Sequence, residues 1–201
     1  MGLLSSSASY VRYSVEGELP ENFWEFAAER IAQYAFRDID DNFDERSIGW
    51  VSIENMFDNR FEYASYAAAD YLVLALRVDE RKVPAGILKK YCLKEEERIK
   101  REREIPKLSR SQRLEIKENV KMQLMKRAVP GSAVYDICWN LGDNTLYFFT
   151  TNIKAQTTLE EFFKETFGLH IMLQIPYLTA THLLDSNELD VLANLKPEIF
   201  V

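Results

Sequence analysis

Four cations recur at helical spacing in the middle of the chain. Arg110, Arg113, Lys117 and Lys121 stand at offsets 0, 3, 7 and 11, which on a helix sets them along one face. At a rise of about 1.5 Å per residue they extend over roughly 16 Å, a row suited to successive phosphates. Long flexible cations on one face select backbone charge rather than base sequence. Lys89 and Lys90 ahead of the row, with Lys126 and Arg127 after it, are the candidate supporting contacts. The same residues would equally serve a solvated hairpin laced with salt bridges, since Glu115 and Glu118 are interleaved.

Other groupings fit known chemistry less well. Glu80-Arg81-Lys82 is an E-x-K triplet with Asp70 ahead of it, and metal-dependent nucleases gather an Asp, a Glu and a Lys around one cation. Asp70 and Glu80, however, flank one apolar strand, which at about 3.3 Å per residue separates them by roughly 30 Å. Asp58 is the substitute carboxylate, with nothing in the sequence to fix its position. The acidic run Asp38, Asp40, Asp41, Asp44 and Glu45 lacks the glycine and spacing of a calcium loop and reads as a solvated connector. His170 and His182 have no cysteine at metal-ligand spacing. No nucleophile elbow, phosphate loop or dinucleotide fingerprint occurs. Tyr135, Trp139, Tyr147, Phe148 and Phe149 could stack bases, but their strand alternation favours core packing. No metal or cofactor is implied.

The elements that must carry these residues follow from periodicity. Residues 10–15 alternate as a strand, and 21–36 carry Phe23, Ala27, Ile31 and Tyr34 at helical intervals. A second strand is expected over 49–53, and the apolar run 71–78 reads as a strand covered on both faces. Pro84 opens a helix over 85–103, almost entirely charged after Lys94, so its far half should project into solvent. Pro106 stops it. Ser109 with Gln112 predicts a capping box for a second charged helix over 110–127, whose narrow apolar stripe is shared by Leu114, Ile116, Val120 and Met125. Residues 133–140 and 145–151 around Gly142-Asp143-Asn144 form the strongest hairpin signal. A helix then starts at Thr157 or Thr158 and ends at Gly168, followed by a strand over 171–175.

These elements predict an α+β fold with mixed or antiparallel sheets, packed helices and a protruding basic helical hairpin. The expected division is 1–84, an N-terminal α+β unit; 85–130, the charged hairpin; 131–184, a ββαβ unit; and 185–201, a tail.

Composition supports a globular chain: 201 residues, 47% hydrophobic and 28% charged, with a net charge of −7. The average hides an asymmetry. Residues 77–127 hold 17 Lys and Arg against 9 Asp and Glu, a net of +8, whereas residues 1–76 carry −9 and 128–201 carry −6. A basic segment between acidic flanks suggests a polyanion surface whose borders are set by repulsion. No apolar stretch reaches the roughly 20 residues of a membrane span. The start lacks a secretory pattern, and Gly2 with Ser6 fits a myristoylation signal only loosely. Two cysteines without a pairing pattern suit a reducing, cytoplasmic compartment.

Several runs resemble the RdgC family of bacterial recombination-associated proteins. They are Asp79-Glu80-Arg81-Lys82-Val83-Pro84 followed by Ile87-Leu88-Lys89-Lys90, then Lys107-Leu108, Lys126-Arg127-Ala128, Gly49-Trp50-Val51 and Thr179-Ala180-Thr181, in the family's order over roughly 10–184. The resemblance implies a nucleoid-associated, homodimeric protein that binds DNA without sequence preference. In that family a ring-shaped dimer with a basic inner surface admits duplex DNA and restrains RecA-promoted strand exchange. The family also carries an exonuclease label, which no motif in this sequence supports. Two departures stand out. Family members run on for about another hundred residues, on the order of a further domain, so ring closure in the same form is not expected at this length. Lys126-Arg127-Ala128-Val129 stands where the family tends to have Pro-Arg-Ala-Phe.

The expectation is therefore a sequence-independent DNA-binding protein that modulates recombination by occupying DNA, double-stranded or single-stranded. The alternatives are an interaction module that docks an acidic protein partner through the hairpin and, more weakly, a metal-dependent nuclease.

Overall fold

The computed structural model describes residues 2–194; the side chains of Leu178, His182, Ser186 and Asn187 and residues 195–201, the far end of the expected tail, lie outside the described residues. The elements in chain order are β1 (Val11–Glu16), α1 (Phe23–Gln33), β2 (Arg46–Val51), β3 (Ala67–Ala68), β4 (Tyr71–Glu80), α2 (Ala85–Glu102), α3 (Arg110–Met125), β5 (Gly131–Asn140), β6 (Thr145–Phe148), α4 (Ile153–Phe167), β7 (His170–Leu173), α5 (Pro176–Leu183) and α6 (Ser186–Asn194). The strands are hydrogen-bonded in the order β2-β4-β5-β6-β1-β7, with β3 on β4. The pairs β1–β6, β1–β7, β2–β4, β3–β4 and β5–β6 are antiparallel. The fold is α+β, as the sequence predicts.

The chain divides into two compact units. One holds the residues up to Ala27, Ala67–Val73 and the chain from Asp136 on. Its core forms because alternate residues of β1, β5 and β6 face the same way: Tyr13, Ile137, Trp139, Leu146 and Phe148 are fully buried. Against them lie Phe23 of α1 and Phe163 of α4, each with its ring 5.2 Å from that of Trp139. Gly168 ends α4 in the left-handed conformation at φ 71, where a side chain would be strained.

Three expectations for this unit need correction. Helix α4 starts at Ile153, not at Thr157, because the Asn152 side chain caps it by accepting from the backbone N–H groups of Lys154 and Ala155. Its first turn buries only the small Ala155 and leaves Ile153 exposed, so the large apolar residues that mark the helix begin at Leu159. Strand β6 stops at Phe148, and β7 ends at Leu173, since Pro176 opens α5. Within the stretch expected as a tail, which could be partly ordered, residues Ser186–Asn194 form α6.

The second unit comprises Ala28–Tyr66 and Leu74–Tyr135. β4 is buried without interruption from Leu72 to Arg77, so both of its faces are covered. β2 pairs with it from Arg46↔Glu80 to Val51↔Ala75. The segment after α1 lies against β2: Phe36 N–H donates to the Trp50 carbonyl at 3.0 Å, and Trp50 N–H donates to that of Tyr34 at 3.0 Å. A Cβ at Gly49 would collide with the Phe36 and Ala35 backbone. Gly49 in the Gly-Trp-Val run is therefore the residue that lets two backbones meet.

Candidate nucleic-acid interface

The hairpin lies wholly within the second unit. α2 follows Pro84, whose carbonyl accepts from Leu88 N–H. α3 starts at the predicted capping box: Ser109 Oγ accepts from Gln112 N–H at 3.2 Å, and Ser109 N–H donates to Gln112 Oε1 at 2.9 Å. The seam is a small apolar cluster. Leu88, Cys92 and Ile99 of α2 and Ile105 of the turn pack on Leu108 and on Ile116, Val120 and Leu124 of α3. No residue of α2 is buried. The two helices therefore hold each other through one narrow stripe, and much of each helix surface stays exposed. Leu114, expected to share this packing, is 57% exposed instead. It stands two residues before Ile116, about 200° away around the helix.

The seam fixes where the cations point. With Ile116, Val120 and Leu124 turned toward α2, the angles around the helix place Arg113 and Lys117 on one flank and Arg110 and Lys121 slightly further round, all within about 80°. All four are exposed. Arg113 Nε lies 3.9 Å from Glu96 Oε2 of α2. Lys117 lies close enough to Cys92 for its charge to oppose the rise in the thiol's pKa that burial, and then Glu96, produce. Glu115 falls on the opposite flank, beside Gln112 and Asn119. Glu96 is thus the acid that touches the row, while Glu118 borders it about 60° round the helix from Lys121.

The four supporting residues do not stay together. Lys89 precedes Glu96 by seven residues and shares its flank, which adds a fifth cation to the row. Lys90 faces away from α3, two residues beyond Leu88 of the seam. Lys126 holds its ammonium 5.3 Å from the centre of the Phe43 ring. Arg127 lines the opposite side of the seam, with Tyr91. All eight candidates are exposed.

Two members of the 17-cation segment leave the surface altogether. Arg77 and Arg81 are buried. Arg77 makes a two-pronged contact with Asp79, Nε to Oδ1 at 3.0 Å and Nη2 to Oδ2 at 2.6 Å, over the Phe36 ring at 4.1 Å. Arg81 donates to the backbone carbonyls of Ile39, Asp40, Asn42, Asp44 and Ala128. A guanidinium, always charged and with five donors in a planar fork, suits converging carbonyls as no other side chain does. The acidic connector is therefore shaped around Arg81, and the end of α3 is tied to the same group. The Arg77–Asp79 contact has a signal in the sequence: the two stand at strand spacing at the end of the apolar run, so they share one face of β4.

The nuclease carboxylates are not brought together. Glu80 is paired with Lys82 at 2.9 Å. Asp70 lies beyond the other end of β4, and Asp58 Oδ1 accepts from Arg60 N–H in a local turn. Among the described residues no group of three or more His, Cys, Asp and Glu side chains could hold a metal ion. The aromatics divide between faces: Trp139 and Phe148 are core, while Tyr147 and Phe149 lie with exposed Tyr10, ring centres 5.6 and 5.8 Å from it. No helix among the described residues is long and apolar enough to cross a membrane.

A family model described as "Putative exonuclease, RdgC" matches residues 12–182. A search of curated proteins gives no match.

Proposed function

The chain belongs to the RdgC family, and on that premise we propose that it binds DNA without sequence preference and modulates recombination by occupying it. The observation that carries this reading is the exposed flank formed by Arg110, Arg113, Lys117 and Lys121 of α3 with Lys89 of α2. Such a row contacts phosphates and reads no base edges. Outside residues 77–127 the chain carries −9 and −6, a net of −15, which disfavours a polyanion away from that segment. Lys126 and Arg127 would meet the backbone beyond the end of the row, and Lys90 from the far side of α2. On this reading the partners are DNA and a second copy of the chain, on the nucleoid.

The test is fluorescence anisotropy of two labelled duplexes of unrelated sequence, and of one single strand, at two salt concentrations. Equal affinities for the two duplexes that fall steeply with salt are expected. A marked preference for one duplex, or no binding at low salt, would contradict the reading.

A further inference from the structure

The flank of the hairpin opposite the phosphate row is concave. Between α2 and α3 a groove of about 660 Å³ opens, within the range of about 300–1,000 Å³ in which proteins hold ligands. Val120 and Leu124 make its floor and half-exposed Tyr91 its wall. A smaller hollow continues it along the same seam past Glu95, Val120 and Gln123.

The charges around the groove are unevenly satisfied. Arg98 is closed by two acids of its own helix, at 2.5 Å from Glu95 and 2.8 Å from Glu102. Lys94, Arg101 and Arg127 line the groove with no ion pair among the described residues, facing Glu97 alone as an unpaired acid. The groove therefore offers an apolar floor, one aromatic wall and three available cations, with bound carboxylates between them.

We propose that this groove docks an acidic amphipathic peptide segment of a protein partner. Its apolar side chains would rest on Val120, Leu124 and Tyr91, and its carboxylates would meet Lys94, Arg101 and Arg127. A nucleic-acid backbone fits worse. Closely spaced phosphates would meet Glu95, Glu97 and Glu102, and a duplex has no apolar side groups to seat on the floor. Carboxylates on a peptide can be spaced to skip those acids. The four-cation row and the groove lie on opposite flanks of α3, and Arg127 is the one cation that both readings use, so the groove can take a peptide whether or not the row binds DNA.

The probe is a fluorescein-labelled peptide with Leu and Phe at helical spacing and Asp or Glu elsewhere. One control carries Lys for every acid, and a second carries Ser for every Leu and Phe. The acidic amphipathic peptide is expected to bind saturably and at least tenfold more tightly than either control. Lys94→Glu with Arg101→Glu, and separately Tyr91→Ala, should each weaken it at least tenfold while the helical circular dichroism is kept. Lys117→Glu with Lys121→Glu should leave it unchanged. The proposal is overturned if neither groove variant matters, if the apolar-free acidic peptide binds equally well, or if the row variant abolishes binding. The last result would mean a general polyanion surface.

Discussion

The Arg113 guanidinium lies 3.9 Å from the Glu96 carboxylate of the neighbouring helix. One cation of the α3 row is thus shared with a protein acid, while Arg110, Lys117 and Lys121 make no ion pair among the described residues. Both partners touch solvent, so the contact is worth no more than about 1 kcal/mol to folding. Its larger effect falls on any polyanion that approaches the flank.

Glu96→Gln removes that acid and keeps the shape. DNA affinity at low salt is expected to rise about two- to fivefold, on the scale of 0.5–1 kcal/mol for one exposed pair. The urea midpoint should hardly move. Anisotropy and equilibrium unfolding measure the two quantities. Unchanged or weaker binding would mean that the phosphate path avoids Arg113.

Asp79→Ala leaves the Arg77 guanidinium buried without its two-pronged partner. A loss of about 3–5 kcal/mol in unfolding free energy is expected, the usual cost of stranding one half of a buried pair. Replacing both residues, Arg77→Met with Asp79→Leu, should recover most of that loss, because no charge is then left buried. Urea denaturation of the two variants separates these outcomes. If the single variant were nearly neutral, the Asp38 carboxylate, 3.9 Å from Arg77 Nη2, would have to take over the charge.

Much of the hairpin was legible in the sequence because its signals are local. Ser109 and Gln112 form the capping box that their spacing announces, and β4 shows the double-sided burial that its apolar run requires. The missed features depend on partners distant in the chain. Nothing near Arg81 reveals that carbonyls about 40 residues earlier converge on it, so by sequence it reads as surface charge. The Asn152 cap is hard to read because the first turn of α4 buries only the small Ala155, and the large core residues start at Leu159. The division of the eight candidate cations between flanks was also hidden. It follows from which stripe of α3 meets α2, and Leu114 competed with Ile116 for that role until packing chose.

Tyr13 supplies a pH dependence. Burial first, and the Glu160 carboxylate second, push its phenol well above the ordinary value of 10.0. In the unfolded chain the phenol ionises near 10, while in the folded protein it stays neutral to higher pH. The contribution of Tyr13 to stability is therefore fully present below pH 10 and is lost as pH rises above it. Tyr13→Phe should lessen the alkaline decline and leave the slope below pH 9 unchanged. Thermal melting of both proteins across this range is the check. Parallel curves for the two would show that the phenol ionises equally in both states.

The central claim is that the flank of Arg110, Arg113, Lys117 and Lys121 tracks DNA phosphates, and the most direct measurement is the salt dependence of duplex binding by the variant with all four changed to Glu. If each cation neutralises one phosphate, the slope of log affinity against log salt should flatten by about 3 to 4, from about 0.9 per contact. Affinity for every duplex should fall alike. An unchanged slope and affinity, in a variant that keeps its helical circular dichroism, would contradict the account and place any DNA contact elsewhere on the chain.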